Sequence, residues 1–328
     1  MVTSTTNQTN GQPPKRPPHL LALAIKESTR SELLNIAVIL FFFLITVLAF
    51  PISWAGHNAG LQMQVSMLGT FLVFAVCVWH SVHVKGWQQT VAFFGLTMVL
   101  SFLAEYVAAN YGWIFGSYDY TSTSGPAING VSVLVPFTWG IIVYGAFMLI
   151  DWLLGLKGER RGRTWYGKVI WSALIALTTG ICVAAWDLMA DPVWVSGVWE
   201  DVLGKPGWWW WDGGAYLPDL KVWKGAGGIP IQNFLGWAEV TFVIVFIFHL
   251  FFQRRDRATH PLIYVVPLLV YSWLSVATFL AGLEMAWYDP GLVQAVMIGA
   301  FTTGPVIMLG VLKFCKEYWR PVETPREQ

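Results

Sequence analysis

The stretch VIWSALIALTTGICVAAWDLMADP, residues 169–192, decides how this chain can fold. It opens with an uncharged, mostly apolar run that is long enough to form most of a membrane-spanning helix. It closes with Asp187 and Asp191, which are four residues apart and therefore lie on one face of a helix, one turn from each other. Pro192 disfavours helical geometry at Asp191, so we expect the helix to end there. Because two carboxyl groups at the end of an apolar helix are costly, the rest of the chain must make them tolerable.

The composition is that of a membrane protein, with 55% hydrophobic residues, 12% charged residues and a mean hydropathy of +0.54. Apolar runs of about 20 residues recur along the chain, and this is the length that crosses a bilayer. We therefore predict an all-α fold, a polytopic transmembrane helix bundle of about eight spans. The predicted spans are 34–54, 61–84, 88–110, 131–155, 169–190, 234–252, 262–286 and 291–312.

The distribution of positive charge sets the expected orientation. With the N-terminus in the cytoplasm, 17 of the 20 Lys and Arg residues fall on the cytoplasmic side, all except Lys205, Lys221 and Lys224. This split follows the positive-inside rule and places both termini in the cytoplasm. We predict a single transmembrane domain over residues 31–320. The flanking segments are a polar, Pro-rich, disordered tail at 1–30, which lacks the apolar region of a signal peptide, and a short tail at 321–328.

The net charge does not indicate nucleic-acid binding, the cysteines do not indicate a disulfide framework, and the histidines do not indicate a metal site. The net charge is only +1, and the three cysteines lie in or beside spans, where we expect free, packed thiols. His80 and His83 have the spacing of a metal-ligand pair, but their position beside Lys85 favours interfacial histidines. The chain has six histidines in all, whereas membrane di-iron oxygenases need several His clusters.

Acidic residues recur in the predicted outer half of the bundle. They are Glu105, Asp187, Asp191, Glu239 and Glu284. Carboxylates inside a membrane are functional-site candidates by default, and several at one depth on different helices indicate one site. For Glu239 and Glu284 we favour helix capping or hydrogen bonding between helices. Asp151 falls at the predicted inner face, where we expect a plain interfacial charge.

A connection of about 40 residues follows the fifth span and is far longer than the other connections, as functional or disordered loops often are. It is rich in tryptophan among glycine and proline. The tryptophans are Trp194, Trp199, Trp208, Trp209, Trp210, Trp211 and Trp223. So many indoles favour a segment that lies on the outer leaflet and caps the bundle. A simple aromatic belt is the alternative.

The acidic residues support one kind of chemistry. Burial favours the neutral form of a carboxyl group, and such a group beside an ionised carboxylate forms an acid–base pair. The sequence has no nucleotide-binding loop, no Ser-His-Asp spacing and no redox-cofactor motif. The residues therefore favour proton transfer to a lipid-soluble molecule, or water addition to it.

Three blocks of sequence resemble the integral-membrane carotenoid hydratase family, which includes the carotenoid 1,2-hydratase and bisanhydrobacterioruberin hydratase groups. The blocks are Glu105-Tyr106 with Gly112, Phe115–Tyr120, Gly125-Pro126, Gly130-Val131, Pro136 and Trp139; then Asp187–Pro192; then Gly228–Trp237. Ser117 and Ser132 stand where this family would have proline, and the Trp-rich loop is enlarged. The resemblance covers roughly residues 100–250. It implies a hydro-lyase of carotenoid biosynthesis that adds water across the terminal isopropylidene double bond of a psi end group, giving a tertiary alcohol, without a cofactor.

The residues fit this reaction in named roles. We predict that Asp187 or Asp191 is the acid, and that Glu105 or the other aspartate holds the water and takes its proton. The candidate substrate-binding residues are Tyr106, Tyr118, Asp119, Trp139, Trp186, Gln232, Asn233 and Trp237. No metal is expected. The expected partners are a lipid-soluble carotenoid substrate, the lipid bilayer and other carotenoid biosynthesis enzymes. Monocyclic, acyclic and extended-chain carotenoids all remain open as substrates.

Two other function classes stay open. Asp187 and Asp191 also have the spacing of a magnesium–diphosphate motif, as in a membrane enzyme that processes prenyl or polyprenyl diphosphates. Such enzymes usually need a second acidic motif and nearby basic residues. Here the second motif is missing, and almost all Lys and Arg lie on the opposite side. The third class is a non-catalytic membrane protein that binds carotenoid or lipid.

Overall fold

A computed structural model of the protein describes residues 30–55, 59–155, 164–225, 227–253 and 261–318. Within these ranges the α-helices are α1 Arg30–Ala55, α2 Ala59–Val84, α3 Trp87–Tyr111, α4 Val135–Leu154, α5 Trp165–Val195, α6 Val198–Leu203, α7 Ile231–Ile247, α8 Val265–Met285 and α9 Gly291–Tyr318. The strands are β1 Tyr118–Tyr120, β2 Ala127–Ile128, β3 Val131–Ser132 and β4 Trp209–Trp211. A π-helical turn extends α7 over Phe248–Phe252, and 3₁₀ turns cover Ser122–Ser124 and Pro261–Tyr264.

The predicted all-α, polytopic fold is confirmed. Among the described residues, seven helices are long and apolar enough to cross a membrane, and they correspond to the second to eighth predicted spans. The fourth begins at Val135 rather than at residue 131, because residues 131–132 form β3. At the first predicted span, α1 is a 26-residue helix that packs against α2 and α8. That α1 crosses the membrane remains a prediction.

Several predicted features lie outside the described residues. They include the tail at 1–30, apart from Arg30, which begins α1, and the tail at 321–328. Two connections that carry much of the predicted cytoplasmic charge, 156–163 and 254–260, are also outside. The orientation of the bundle in the membrane stays a prediction.

The centre of the bundle is α4, which contacts α2, α3, α5 and α8. Every residue from Trp139 to Trp152 is buried. A helix that is apolar on all sides has no face to present to water, so it is stable where other helices surround it. The neighbouring helices thereby hold fixed positions around α4.

The contact between α5 and α7 is the most extensive between two helices in the described chain. It depends on Gly180, because a Cβ there would lie 2.5 Å from the carbonyl oxygen of Ala238. Small residues allow membrane helices to approach closely in this way. The approach places the end of α5, with its acidic pair, beside the start of α7.

Helix α5 does not end at Asp191, as the sequence predicted, but continues through Pro192 to Val195. Proline has no N–H, so the carbonyl of Leu188, four residues earlier, loses its helical donor. The hydroxyl of Tyr216 donates to this carbonyl at 2.7 Å. A side chain from the Trp-rich connection therefore satisfies the acceptor and lets the helix tolerate its proline.

Two long connections, 112–134 and 196–230, meet at one end of the bundle, here called the loop end. Strand β1 of the first pairs antiparallel with β4 of the second, with Tyr118 opposite Trp211 and Tyr120 opposite Trp209. The Trp-rich connection is thus hydrogen-bonded to the preceding one and folds over the loop end.

At the opposite end, the prediction of an interfacial group is wrong for His80 and for Asp151, whereas His83 is partly exposed. His80 and Lys85 are both buried, and the His80 ring hydrogen-bonds to the hydroxyl of Tyr144 at 2.7 Å. Asp151 is buried as well and accepts a hydrogen bond from the Gln253 amide at 3.0 Å. The sequence places these residues at helix ends, but it does not reveal that neighbouring elements cover those ends. No group of three or more His, Cys, Asp or Glu that could hold a metal occurs in the described part of the chain.

The substitution Tyr216→Phe should lower the stability of the protein. It leaves the partly buried Leu188 carbonyl without its donor, which should cost about 1 kcal/mol, the lower end of the range for a buried acceptor. The loss should appear as a lower Tm, measured from the change in tryptophan fluorescence as the detergent-solubilised protein is heated.

The substitution Pro192→Ala supplies the matched control, because it restores a backbone N–H that can donate to Leu188. In that background Tyr216→Phe should cost clearly less than it does alone. Equal losses in both backgrounds would contradict the role given to Tyr216.

Candidate active site

The loop end encloses a cavity of about 170 Å³. Eight of the eleven predicted site residues line it. They are Glu105, Tyr118, Trp139, Trp186, Asp187, Asp191, Asn233 and Trp237. These residues come from α3, β1, α4, α5 and α7, so the fold brings together side chains that are up to 132 positions apart in sequence.

The other three predicted residues do not line the cavity. Asp119 is the exposed middle residue of β1, because side chains of a strand alternate between its two faces. Gln232 is exposed beside Asn233 on α7. The ring of Tyr106 lies against that of Tyr111, with centroids 6.2 Å apart. Each of the three is next to a cavity residue in sequence but turned away from the cavity.

The acidic pair lies in an enclosed part of the site. Asp187 and Asp191 are each 1% exposed, and both accept hydrogen bonds from the side-chain amide of Asn233. The distance from the amide nitrogen to Oδ2 of Asp187 is 2.9 Å. The two carboxyl groups also interact with each other, and the indole of Trp209 interacts with Asp191. The predicted arrangement of the pair on one helix face, one turn apart, is therefore confirmed.

Glu105 occupies a different environment in the same cavity. Its Oε2 accepts hydrogen bonds from the hydroxyls of Tyr118 and Tyr120, the latter at 2.8 Å. Its Oε1 accepts one from the indole N–H of Trp139, also at 2.8 Å. Both oxygens are thus held by neutral donors. Burial, followed by the charge of Glu105, raises the pKa of Tyr118 and of Tyr120 well above the usual value, so both phenols keep the hydrogens that they donate.

Aromatic rings form the wall beside Glu105. The rings of Trp139 and Trp237 are stacked, with centroids 3.9 Å apart and planes 7° apart. Trp186 meets Trp237 edge to face at 6.1 Å, and Phe115 lies 6.0 Å from Trp139. The electron-rich faces of such rings attract positive charge.

Tyr120 is the residue of this hydrogen-bond network that the sequence analysis does not predict. Tyr120 lies two residues after Tyr118, and the period of a strand puts both side chains on one face. That alternation in Tyr118-Asp119-Tyr120 could have selected Tyr120 and rejected Asp119. Trp209 and Trp211 line the cavity because β4 pairs with β1, and no local pattern predicts this pairing.

Glu239 and Glu284, the other two predicted intramembrane acids, are not among the residues that line the cavity. Glu239 is exposed on α7, and Glu284 is partly exposed near the end of α8. Among the described residues the cavity lining contains three carboxyl groups and no lysine or arginine.

A model of one protein family matches residues 61–305, and the description of that family is "carotenoid biosynthesis protein". The match extends from the start of α2 into α9 and includes every cavity residue named above. Searches of the curated proteins and of the solved structures find no match. The match assigns the chain a role in carotenoid biosynthesis. The chain belongs to the carotenoid biosynthesis protein family.

Proposed function

We propose that the protein is a carotenoid hydratase, which adds water across the terminal isopropylidene double bond of a psi end group to give a tertiary alcohol. The observation that supports this most directly is the cavity itself. It combines an acidic pair on α5 with a separately held carboxyl group on α3, between aromatic walls. Family membership supports a carotenoid substrate, and the chemistry of the cavity supports hydration.

The acidic pair supplies the proton. Two adjacent negative charges in a buried site are costly, and the pair avoids this cost when the two groups share one proton. In the first step this proton adds to the CH carbon of the terminal double bond. The π bond breaks, a C–H bond forms, and a tertiary cation and an ionised aspartate remain. Asn233 keeps the two carboxyl groups beside each other throughout, because it donates to both.

Glu105 and the aromatic wall stabilise the cation. Since three neutral donors already hold the oxygens of Glu105, its suitable role is that of a fixed negative charge. The stacked indoles of Trp139 and Trp237 line the same cavity, and a cation over an indole face that the stack leaves uncovered gains about 0.5–2 kcal/mol. The site thus presents negative charge where positive charge develops in the reaction, which is the usual source of electrostatic catalysis.

Water completes the reaction. Its oxygen bonds to the tertiary carbon, and one of its protons passes to the ionised aspartate, which restores the shared proton. The sum is one alkene and one water giving one alcohol, so no redox step and no cofactor take part. Diphosphate chemistry fits the cavity poorly, because no basic residue among those described lines it and the Asn233 amide occupies the pair.

The substitutions Asp187→Asn and Asp191→Asn should each lower hydration by about 10²–10⁴-fold, the usual contribution of a positioned acid–base group. The variants would be expressed in a host that makes lycopene, and pigment masses would be read by mass spectrometry for the gain of one water. Glu239→Gln is the matched control, because it neutralises an exposed carboxylate away from the cavity.

Full hydration by both asparagine variants would contradict the proposal. A non-catalytic carotenoid binder would leave pigment masses unchanged even in the unaltered protein. Loss of activity in the presence of a chelator would favour the diphosphate-processing alternative.

Glu105→Gln should lower the rate constant of hydration more than Tyr120→Phe does. Glutamine at position 105 removes the negative charge that faces the cation. Phenylalanine at position 120 removes only one of the three hydrogen-bond donors to Glu105. The comparison uses initial rates in membranes at saturating substrate. A larger effect of Tyr120→Phe would show that Glu105 does not act through its charge.

Hydration in heavy water should place one deuterium on the carbon next to the tertiary alcohol, because protonation of the alkene comes first. In ¹⁸O-labelled water the label should enter the alcohol. Mass spectrometry of the extracted product distinguishes both positions. An oxygen that comes from O₂ instead would identify an oxygenase and contradict acid-catalysed hydration.

A further inference from the structure

The face of α5 that lines the cavity carries aromatic residues as well as the acidic pair. Its lining residues follow the spacing of a single helix face. They are Trp186, Asp187, Ala190, Asp191 and Trp194. Trp186 directly precedes Asp187 and is 6% exposed, so its indole lies almost wholly inside the protein beside the acids.

Several hydrogen-bond donors that line the cavity already have acceptors within the protein. They are the hydroxyls of Tyr118 and Tyr120, the indoles of Trp139 and Trp211, and the amide of Asn233. The acceptors of these donors are Glu105, the carbonyl of Phe115 and the acidic pair. These donors are therefore committed to holding the site together.

The indole N–H of Trp186 differs from these donors, because it is buried and has no acceptor among the described residues. The same is true of Trp208 and Trp273, but they belong to the Trp-rich connection and to α8, not to the helix face of the acidic pair. A buried N–H without an acceptor is costly, and native proteins pair nearly all such groups. Since Trp186 lines the cavity, a molecule bound there can supply the acceptor.

The proposed reaction offers only one oxygen atom as this acceptor. A psi end group is a hydrocarbon, so the oxygen belongs first to the attacking water and then to the tertiary alcohol. An indole N–H donates a hydrogen bond but accepts none, and it stays neutral. Trp186 can therefore bind this oxygen without competing for the proton of the acidic pair.

We propose that the indole N–H of Trp186 holds the oxygen of the attacking water beside Asp187 and Asp191. This inference rests on the proposed hydration and names the residue that positions its second substrate. One lone pair of the water accepts the hydrogen bond from Trp186, and the other forms the C–O bond to the tertiary carbon. An O–H bond of the water breaks, and its proton passes to the ionised aspartate.

The position of the water decides the fate of the cation, because capture needs the two reacting atoms to be held together. A cation that is not captured returns a hydrogen from a neighbouring carbon to the ionised aspartate as a proton, and the electron pair of that C–H bond re-forms a double bond. In heavy water this return can leave deuterium in unhydrated lycopene. The ratio of deuterated lycopene to hydrated product, here called the return ratio, therefore reports how well the water is held.

The substitution Trp186→Phe keeps an aromatic ring but removes the N–H. It should raise the return ratio by about fivefold, the effect expected of one hydrogen bond between neutral groups. Membranes that contain the full-length protein would be supplied with lycopene in heavy water, and both pigments would be measured by mass spectrometry. Trp287→Phe is the matched control, because it removes an indole N–H that is 87% exposed and outside the cavity lining.

Two further variants separate the N–H from the bulk of the ring. The tryptophan analogue 3-benzothienylalanine at position 186 replaces the N–H by sulfur at nearly the same shape, and it serves if Trp186→Phe does not fold, as judged by size-exclusion chromatography. It should raise the return ratio as Trp186→Phe does. Trp186→His should give a lower return ratio than Trp186→Phe at pH 8, because Nε2 of the neutral imidazole can donate from the place of the indole nitrogen.

An unchanged return ratio in the variants without the N–H would overturn the role of Trp186, even if hydration falls. That result is expected if the N–H meets the face of Trp237, 6.1 Å away between ring centroids, and only supports the wall. Normal hydration with an unchanged return ratio would leave the proposed function standing. A lack of hydrated product from the unaltered protein would instead refute hydration, and the water site with it.

Discussion

The amide of Asn233, which donates to Asp187 and Asp191 together, is the interaction on which the rest of the site depends. It joins α5 to α7 and offsets part of the cost of burying two acids. The close approach of the two helices at Gly180 and the helical geometry of α5 beyond the second aspartate place both carboxyl groups within reach of this amide. That continuation depends in turn on Tyr216, which comes from the Trp-rich connection. The contact between α5 and α7 thus depends on a residue of the Trp-rich connection between them.

The sequence predicts the features of this site that are local. Apolar runs predict the helices, and the four-residue spacing predicts that the two aspartates share a face. Glu105 was found because it is an acid at the same depth on another predicted span, and Asn233 because it is a polar residue directly before the sixth predicted span. The end of α5 was predicted wrongly, because the donor that replaces the missing N–H of Pro192 is 24 residues further along the chain. Local rules describe the cost of a proline correctly, but they do not reveal what offsets it.

The direction of individual side chains is the other point that the sequence left undecided. Asp119 and Gln232 lie in the right segments, but the strand and the helix turn them away from the cavity. Resemblance of a block to a family marks the whole block, and only the period of the element separates its faces. Asp151 shows the same limit at the opposite end, where a residue at the end of a span proves to be covered by neighbouring elements.

The pairing of β1 with β4 has a consequence for how the site admits water. The two strands belong to connections that are separated by α4 and α5 in sequence, yet their hydrogen bonds make one ladder across the top of the site. Local fluctuations of folded proteins open such hydrogen-bonded units together rather than one residue at a time. Entry of solvent through this ladder would therefore require both connections to open together. In the proposed reaction, a cation formed beneath the closed ladder would be shielded from bulk water.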